Sequence, residues 1–392
     1  MPLRSSQNAV TRRRFLKGTA IAGGALALSG WRGAAAQEPA PDHPLFVPLV
    51  SANADPSRVV HIHDQAATHW DFATGWYGSA VSQAAVNEIV NRGVMELTGR
   101  PSVAPAWAAL MPDYHAGQRI AVKVNLNNAS CDDADNAIDA LIEVVNAVVS
   151  SLVAAGIDEA DVWVYDALWP MPARFYGRRQ HTRAHFCDST GCADEWATLS
   201  CVDESLVVHF DTPGMATRRW LTDILYYASY VINMPILKIH GWAPVTLGFK
   251  NHFGSLNNLG GDDVDNPHAH INPAVSSYSP DYSPLVDIYC NPNIAAKTVL
   301  TVGDGLFGAP AVGSAPRPWH LFGDRAPNSL LFGRDPVAID CVMCDMLRSE
   351  WGLPEAAYDY LRLAKDRGLG IFERGDPFGS GYTRFEYVRV EL

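Results

Sequence analysis

Residues 119–166 constrain the fold of this chain more than any other stretch. Arg119 to Asn127, RIAVKVNLN, reads as an apolar strand with one lysine, Lys123, inside it and Asn125, Asn127 and Asn128 at its end. An amphipathic helix is expected from about Asn136 to Ala155, stopped by Gly156, and Asp161 to Tyr165 reads as a second strand ending at Asp166. Strand, helix and strand with short joints imply parallel pairing and a right-handed crossover. The expected class is α/β, a mostly parallel twisted sheet with helices on both faces.

Further elements fit that frame. Val59 to Ile62, Leu206 to Phe210, Tyr230 to Ile232, Lys297 to Val302 and Ser329 to Phe332 read as strands. Residues 79–98, with Val81, Ala85, Ile89 and Met95 near helical spacing, Thr217 to Ala228 and 354–367 read as helices, and the chain finishes in a polar tail. Residues 169–204 read as an irregular insertion or lid over the sheet. Gly260 to Asp281 is a long irregular segment, a length that in compact domains marks function or disorder.

The N-terminal residues stand apart. Thr11-Arg12-Arg13-Arg14-Phe15-Leu16-Lys17, a short weakly apolar run and Ala34-Ala35-Ala36 form the pattern of a twin-arginine export signal cleaved after Ala36. The apolar run is too short for a membrane anchor. The expected organisation is therefore signal 1–36, linker 37–57 and one large α/β domain over 58–392. It implies a periplasmic or secreted protein whose partners include the twin-arginine export machinery. The whole chain carries a formal charge of −12, and residues 1–36 hold Arg4, Arg12, Arg13, Arg14, Lys17 and Arg32 but no acids, so the mature chain is more negative still. That balance argues against nucleic acid as a partner.

All seven cysteines lie beyond the signal, so at least one is unpaired. In an oxidising compartment Cys187, Cys192 and Cys201 are near enough in sequence for a loop disulfide. Cys341 and Cys344 sit three apart within AIDCVMCDML, one helix face, and read as core. His61 and His63 share a strand face and read as hydrogen-bonded histidines ahead of a metal pair.

Lysine is scarce here. The chain holds six (Lys17, Lys123, Lys238, Lys250, Lys297, Lys365) against 24 arginines, so lysines mark places where a compact, titratable ammonium is wanted. Two fall in YVINMPILKIHGWAPVTLGFKNHFGSLNN, residues 230–258. There Lys238 and His240 follow a strand, Thr246 is placed to cap a helix, and Lys250, Asn251 and His252 fall on that helix before Gly254. In open parallel sheets ligands bind beyond the carboxyl ends of the strands. Those ends carry Asn125, Asp166, Asn233 and Asp304, the last flanked by Gly303 and Gly305, which would let the backbone approach a ligand.

The expected site binds a small anion, a carboxylate or phosphate. Lys123, Asn125, Thr246, Lys250 and Asn251 contact it, Lys238 or Lys250 clamps it, His240 transfers protons near neutral pH, and Asp304 orients a lysine or ligates a metal. Alternatively, Lys238 and Asp304 simply hold two loops together. No G-x-G-x-x-G opens a helix after the first strand, no G-x-x-x-x-G-K-S/T occurs, and there is no G-x-S-x-G nucleophile elbow. A transition metal is a second possibility, because His240, His252, His268, His270, Asp262, Asp263 and Asp265 all fall within residues 240–270, with His268 and His270 the candidate ligands.

Taken together, these motifs resemble the domain-of-unknown-function family 362. Lys123 and Asn125 match a K-x-N at the first strand. Asn233, Pro235, Leu237, Lys238 and His240 match N-x-P-x-L-K-x-H, followed by Thr246, by Lys250, Asn251 and Gly254 of K-N-x-x-G, and by His268 or His270. Asp304 and Gly305 match a D-G after a strand, and Asp335, Val337, Ala338 and Asp340 match D-x-V-A-x-D. The resemblance covers roughly residues 119–345 and implies a common α/β core without fixing a reaction. Some relatives carry a ferredoxin-like iron–sulfur segment. The cysteines here lack its repeated spacing, so an iron–sulfur cluster is not expected.

The expected function is an exported enzyme acting on a small anionic substrate, of open reaction type: oxidoreductase, lyase or isomerase. The alternative is a periplasmic ligand-binding or accessory protein of an exported redox complex.

Overall fold

A computed structural model describes residues 57–392 except 133–134, 194 and 261–264. The signal, nearly all of the linker, and Asp262 and Asp263 lie outside the described residues.

The strands in chain order are β1 (Arg58–His63), β2 (Arg119–Lys123), β3 (Val162–Asp166), β4 (His185–Asp188), β5 (Glu195–Trp196), β6 (Val207–Val208), β7 (Arg219–Trp220), β8 (Ala228–Asn233), β9 (Ile236–Lys238), β10 (Thr298–Ala309), β11 (Ser329–Gly333) and β12 (Glu386–Glu391). The main sheet runs β12-β1-β11-β10-β8-β2-β3-β4-β5, with β9 on β10, while β6 and β7 form a separate ribbon. Only β11 runs antiparallel to its neighbours β1 and β10; every other pairing in the main sheet is parallel.

The two faces of the sheet bury alternate residues, as a period of two requires. Val60, Ile62, Ile120, Val122, Ile232, Leu330 and Phe332 face one layer, which holds the helices Gln83–Thr98, Val103–Leu110 and Ile142–Ala154. Val59, Ala121, Val231 and Leu331 face the other, with Pro284–Tyr289, Pro336–Trp351 and Asp359–Asp366. The expected α/β sheet with helices on both faces is what the chain forms.

Local signals explain the helix boundaries. Ser82 accepts from the Ala85 amide to open the first helix, and Gly99, at φ 63°, closes it. Its buried stripe is Val86, Ile89, Val90, Val94 and Leu97, so of the expected Val81, Ala85, Ile89 and Met95 only Ile89 is fully buried. The crossover helix starts at Ile142, six residues later than expected, because 136–141 form an irregular approach in which Ala140 N–H donates to Asn125 O.

Several expectations need correction. Leu206–Phe210 supplies only the two-residue β6, outside the main sheet, and Thr217–Ala228 divides into β7 and a short helix, Asp223–Tyr227. The polar tail is not loose: β12 pairs in parallel with β1 along six residues. Residues 169–204 include β4 and β5 and so extend the sheet.

The disulfide is Cys131–Cys192, not a bridge within 187–201. Parallel pairing of β2, β3 and β4 brings the loops at their carboxyl ends together, which sequence distance does not reveal. Cys187 is instead buried on β4, and Cys341 and Cys344 are core residues as expected. His61 is buried between Tyr387 Oη and Ser329 Oγ, each 2.8 Å away, and His63 bonds Glu391. Among the described residues no helix is long and apolar enough to cross a membrane.

Candidate functional site

Lys123 and Asn233 are register partners at the ends of β2 and β8, and Asp166 ends β3 beside them. Asn251, one turn into the short helix Leu247–Asn251, ties these ends together. Its Nδ2 donates to Asn233 Oδ1 (2.8 Å) and to the Lys123 carbonyl (3.2 Å), while its Oδ1 accepts from Asn125 Nδ2 (3.3 Å) and Lys123 Nζ (3.4 Å).

Lys123 is wholly buried. Its ammonium donates to Asp166 Oδ2 (3.0 Å) and to the Val124 carbonyl (2.5 Å). Asp166 is fully engaged, since Oδ2 also accepts from Leu126 N–H and Oδ1 from the amides of Leu168 and Trp169. Gly254 makes this arrangement possible. A Cβ there would lie 2.6 Å from Lys123 Nζ and 2.8 Å from Asp166 Oδ1, so only glycine lets the backbone lie against the ion pair.

The helix Leu247–Asn251 is held in an unexpected way. Thr246 does not cap it; its hydroxyl is buried with no hydrogen-bond partner among the described residues. The first amides, Gly248 N–H and Phe249 N–H, instead donate to Asp340 Oδ1 (2.8 Å) and Oδ2 (3.2 Å). Asp335 caps the helix Pro336–Trp351 through the amides of Val337 and Ala338, which sets Asp340 facing that turn. The D-x-V-A-x-D motif is thus a device for fixing residues 246–251. These two amides already meet a carboxylate of the chain.

A pocket opens beside this framework, lined among others by Asn125, Asn127, Asp166, Trp169, Thr246, Lys250, Asn251, Phe253 and His268. Lys250 reaches it from the short helix. Its Nζ lies 3.4 Å from His268 Nε2 and 4.7 Å from the centre of the Phe253 ring. His268 Nδ1 lies 3.1 Å from Asn266 Oδ1, an oxygen that also accepts the His268 amide. That leaves the proton on Nδ1 and the lone pair of Nε2 facing Lys250.

Lys238 is buried nearby, with Nζ donating to the Ile138 carbonyl (2.9 Å). His240 stacks on His268 with ring centres 5.8 Å apart. Both the Trp242 and Ala243 amides donate to His240 Nδ1 at 3.1 Å, so a neutral His240 carries its proton on Nε2.

Three lysines therefore share one small region, and among the described residues only Lys123 has a carboxylate at ion-pair distance. Burial, then the charges of Lys238 and Lys123, lower Lys250 to about 7. Burial lowers Lys238 to about 8 against the pull of Asp139 and Asp166. Burial and then Lys250, His268 and Lys238 hold His240 down at about 2, and burial and then Lys250 hold His268 at about 3. Both imidazoles are neutral near pH 7, and the group that titrates there is Lys250.

Of the expected site residues, Asn125, Thr246, Lys250, Asn251 and His268 line the cavity, and Lys123, Lys238 and His240 adjoin it. Asp304 does not. Residues 303–305 lie within β10, not at a strand end, and their glycines admit Met343 and Leu237 instead of a ligand. On that strand Val302 and Leu306 face the helix layer of Ile142–Ala154, and Asp304 shares their side; burial raises it to about 7, with Glu143 adding to the rise. The charges acting on Lys238 are those of Asp139 and Asp166.

His270 lines a separate cavity with Val245, Tyr278, Ser283 and Tyr360. Among the described residues no group of three or more His, Cys, Asp or Glu side chains is placed to hold a metal ion. Sequence reading passed over Trp169 and Phe253 as walls, Asp340 as the anchor of the short helix, and Asp166 as the partner of Lys123.

No curated protein matches the chain. A family model does, over residues 120–345, which takes in Lys123, the whole 230–258 stretch and Asp340. The chain belongs to the family described as a domain of unknown function, DUF362.

Proposed function

We propose that this protein is an exported enzyme that binds a small carboxylate or phosphate in the cavity at the ends of β2, β3 and β8. One observation carries the reading: Lys123, Lys238 and Lys250 crowd one region, and among the described residues a single carboxylate, Asp166, pairs directly with one of them. Mutual repulsion and desolvation of the ammoniums are both relieved when an anion enters. Lys250 and the unpartnered Thr246 hydroxyl are the direct contacts, with Asn125 and Asn251 fixing their surroundings. Lys123 and Lys238 supply the field from below.

A simple ligand carrier needs only the cations. The contact between Lys250 and the lone pair of His268 favours an enzyme, because it joins a group titrating near pH 7 to an acceptor in the same cavity. Export is supported by the twin-arginine pattern of residues 11–17 and by the Cys131–Cys192 bridge, a bond that persists in oxidising compartments.

The test is calorimetric titration of the chain from residue 37 with acetate, phosphate and pyruvate at pH 6.5. Binding of at least one, weakened about tenfold or more (about 1.4 kcal/mol) by Lys250→Met, is expected. An absence of binding by all three removes the reading. His268→Gln that keeps binding but stops turnover of a bound acid separates enzyme from carrier.

A further inference from the structure

Lys250 differs from the other lysines of the described chain. Lys365 lies on the surface against Asp366, and Lys297 donates to the Leu225 and Tyr226 carbonyls. Lys123 is tied to Asp166 and Lys238 to the Ile138 carbonyl, both with no exposure to solvent. Lys250 alone lines the cavity, with no carboxylate at ion-pair distance among the described residues and an imidazole lone pair 3.4 Å from its nitrogen. An anion clamp does not need that acceptor. A nucleophilic amine does, because it must shed a proton.

We infer that Lys250 is a covalent nucleophile toward small anionic carbonyl compounds, the 2-oxo acids, with which it forms an imine in this cavity. The inference rests on the anion-binding reading above and adds the carbonyl group to it. The carboxylate of the acid lies in the field of Lys123 and Lys238, near the Thr246 hydroxyl. The carbonyl carbon faces Nζ.

The neutral amine attacks that carbon, a C–N bond forms, and the carbonyl π pair moves to oxygen. The ammonium proton of this adduct passes to the alkoxide, with His268 Nε2 as the relay, and leaves a carbinolamine. Loss of the remaining N–H proton and of hydroxide, together one water, gives the C=N bond. The sum is amine plus carbonyl to imine plus water, and no oxidant or reductant enters. Trp169, Phe253 and Leu259 give the cavity apolar walls that limit competing hydration.

The position of Lys250 between two other ammoniums also sets its reactivity. With the group lowered to about 7, most of it is free amine at pH 7.5, whereas an ordinary lysine has about one amine in a thousand free. Lys238 and Asp166-paired Lys123 remain as the cations that hold the acid.

The experiment incubates the chain from residue 37 with pyruvate or glyoxylate and sodium cyanoborohydride, which reduces an imine to a stable secondary amine. Intact mass and peptide mapping then locate the adduct, with calorimetry of the same acids in parallel. One adduct per chain is expected, at Lys250, forming on the order of a hundredfold faster than at Lys365. Its rate should rise with pH and level off above about 7. Lys250→Arg should abolish it and Lys365→Arg should not.

Peptide mapping of the unsubstituted chain gives the site even if Lys250→Arg fails to fold. Adducts spread evenly over Lys250, Lys297 and Lys365 would overturn the inference. So would measurable binding of the acids with no adduct, an outcome that leaves the anion reading standing. Neither binding nor adduct would overturn both.

Discussion

Lys250 decides most of what this site does with pH. Its folded value of about 7 lies below the ordinary 10.5, so the folded chain pays to keep it charged below pH 7 and is relieved of that cost as pH rises from 7 toward 10.5. Reversible anion binding runs the other way, because it needs the ammonium. Affinity for acetate should fall several-fold between pH 6 and 8.5, and Lys250→Met should flatten that dependence, both read by calorimetry. Asp304 has the opposite sign. Its carboxyl is raised from 3.8 to about 7, so its burial weakens the fold progressively as pH rises between those values. Asp304→Asn should therefore unfold at higher urea than the wild type at pH 8, by a smaller margin at pH 5, and at nearly the same urea only below about pH 3.8. Sequence spacing could place Lys123, Asn125, Lys250 and Asn251 at one set of strand ends, because each follows an apolar run of strand character or lies a turn beyond one. It could not show that Asp166 spends all its acceptor capacity on Lys123 and three amides, nor that Asp304 points into the opposite layer. Those facts depend on strand length, and β10 runs on past Gly305 to Ala309.

At the scale of elements, the five-residue helix Leu247–Asn251 is too short to hold itself. Isolated helices of that length do not form, so tertiary contacts must fix it. Leu247 even carries a positive φ of 45°, a strained entry for a branched side chain. Asp340 offsets this by accepting from two of the orphaned first-turn amides and from Tyr360 Oη (3.0 Å). Asp340→Ala should cost about 3 kcal/mol in urea unfolding, the penalty of leaving two buried amides unpaired, and should weaken anion binding because Lys250 rides on the same helix. Thr246→Val should leave stability nearly unchanged, since the hydroxyl caps nothing. Gly254→Ala should act from the other side by prising Lys123 from Asp166, at about 3 kcal/mol, in line with breaking a buried ion pair. The capping role assigned to Thr246 was a sound local inference, and it failed because a residue far along the chain supplied the acceptor. The D-x-V-A-x-D motif was visible in the sequence, but its purpose was not, since that depends on which turn the helix Pro336–Trp351 packs against.

At the scale of the molecule, the apolar runs of β1, β2, β8 and β11 are legible as strands, and the strand, helix and strand of residues 119–166 point to the α/β architecture. The joins between distant parts are not: β12 on β1, and Cys131 with Cys192. That bridge spans 61 residues and ties the loop that carries Asn125 and Asn127 to the loop between β4 and β5. In the chain-entropy picture it contributes about 4 kcal/mol. Cys131→Ser with Cys192→Ser should lower the unfolding free energy by that order and loosen the wall of the cavity. The scarcity of lysine offers the most direct test of the whole account. Beyond the signal only Lys123, Lys238, Lys250, Lys297 and Lys365 remain, so the side-chain ε-carbon signals of ¹³C-lysine-labelled protein are few enough to assign by substitution and follow through a pH titration. Lys250 should titrate near 7 and move upward when acetate is added, while Lys365 stays unmoved. A Lys250 that titrates near 10 and ignores acetate would contradict the anion site.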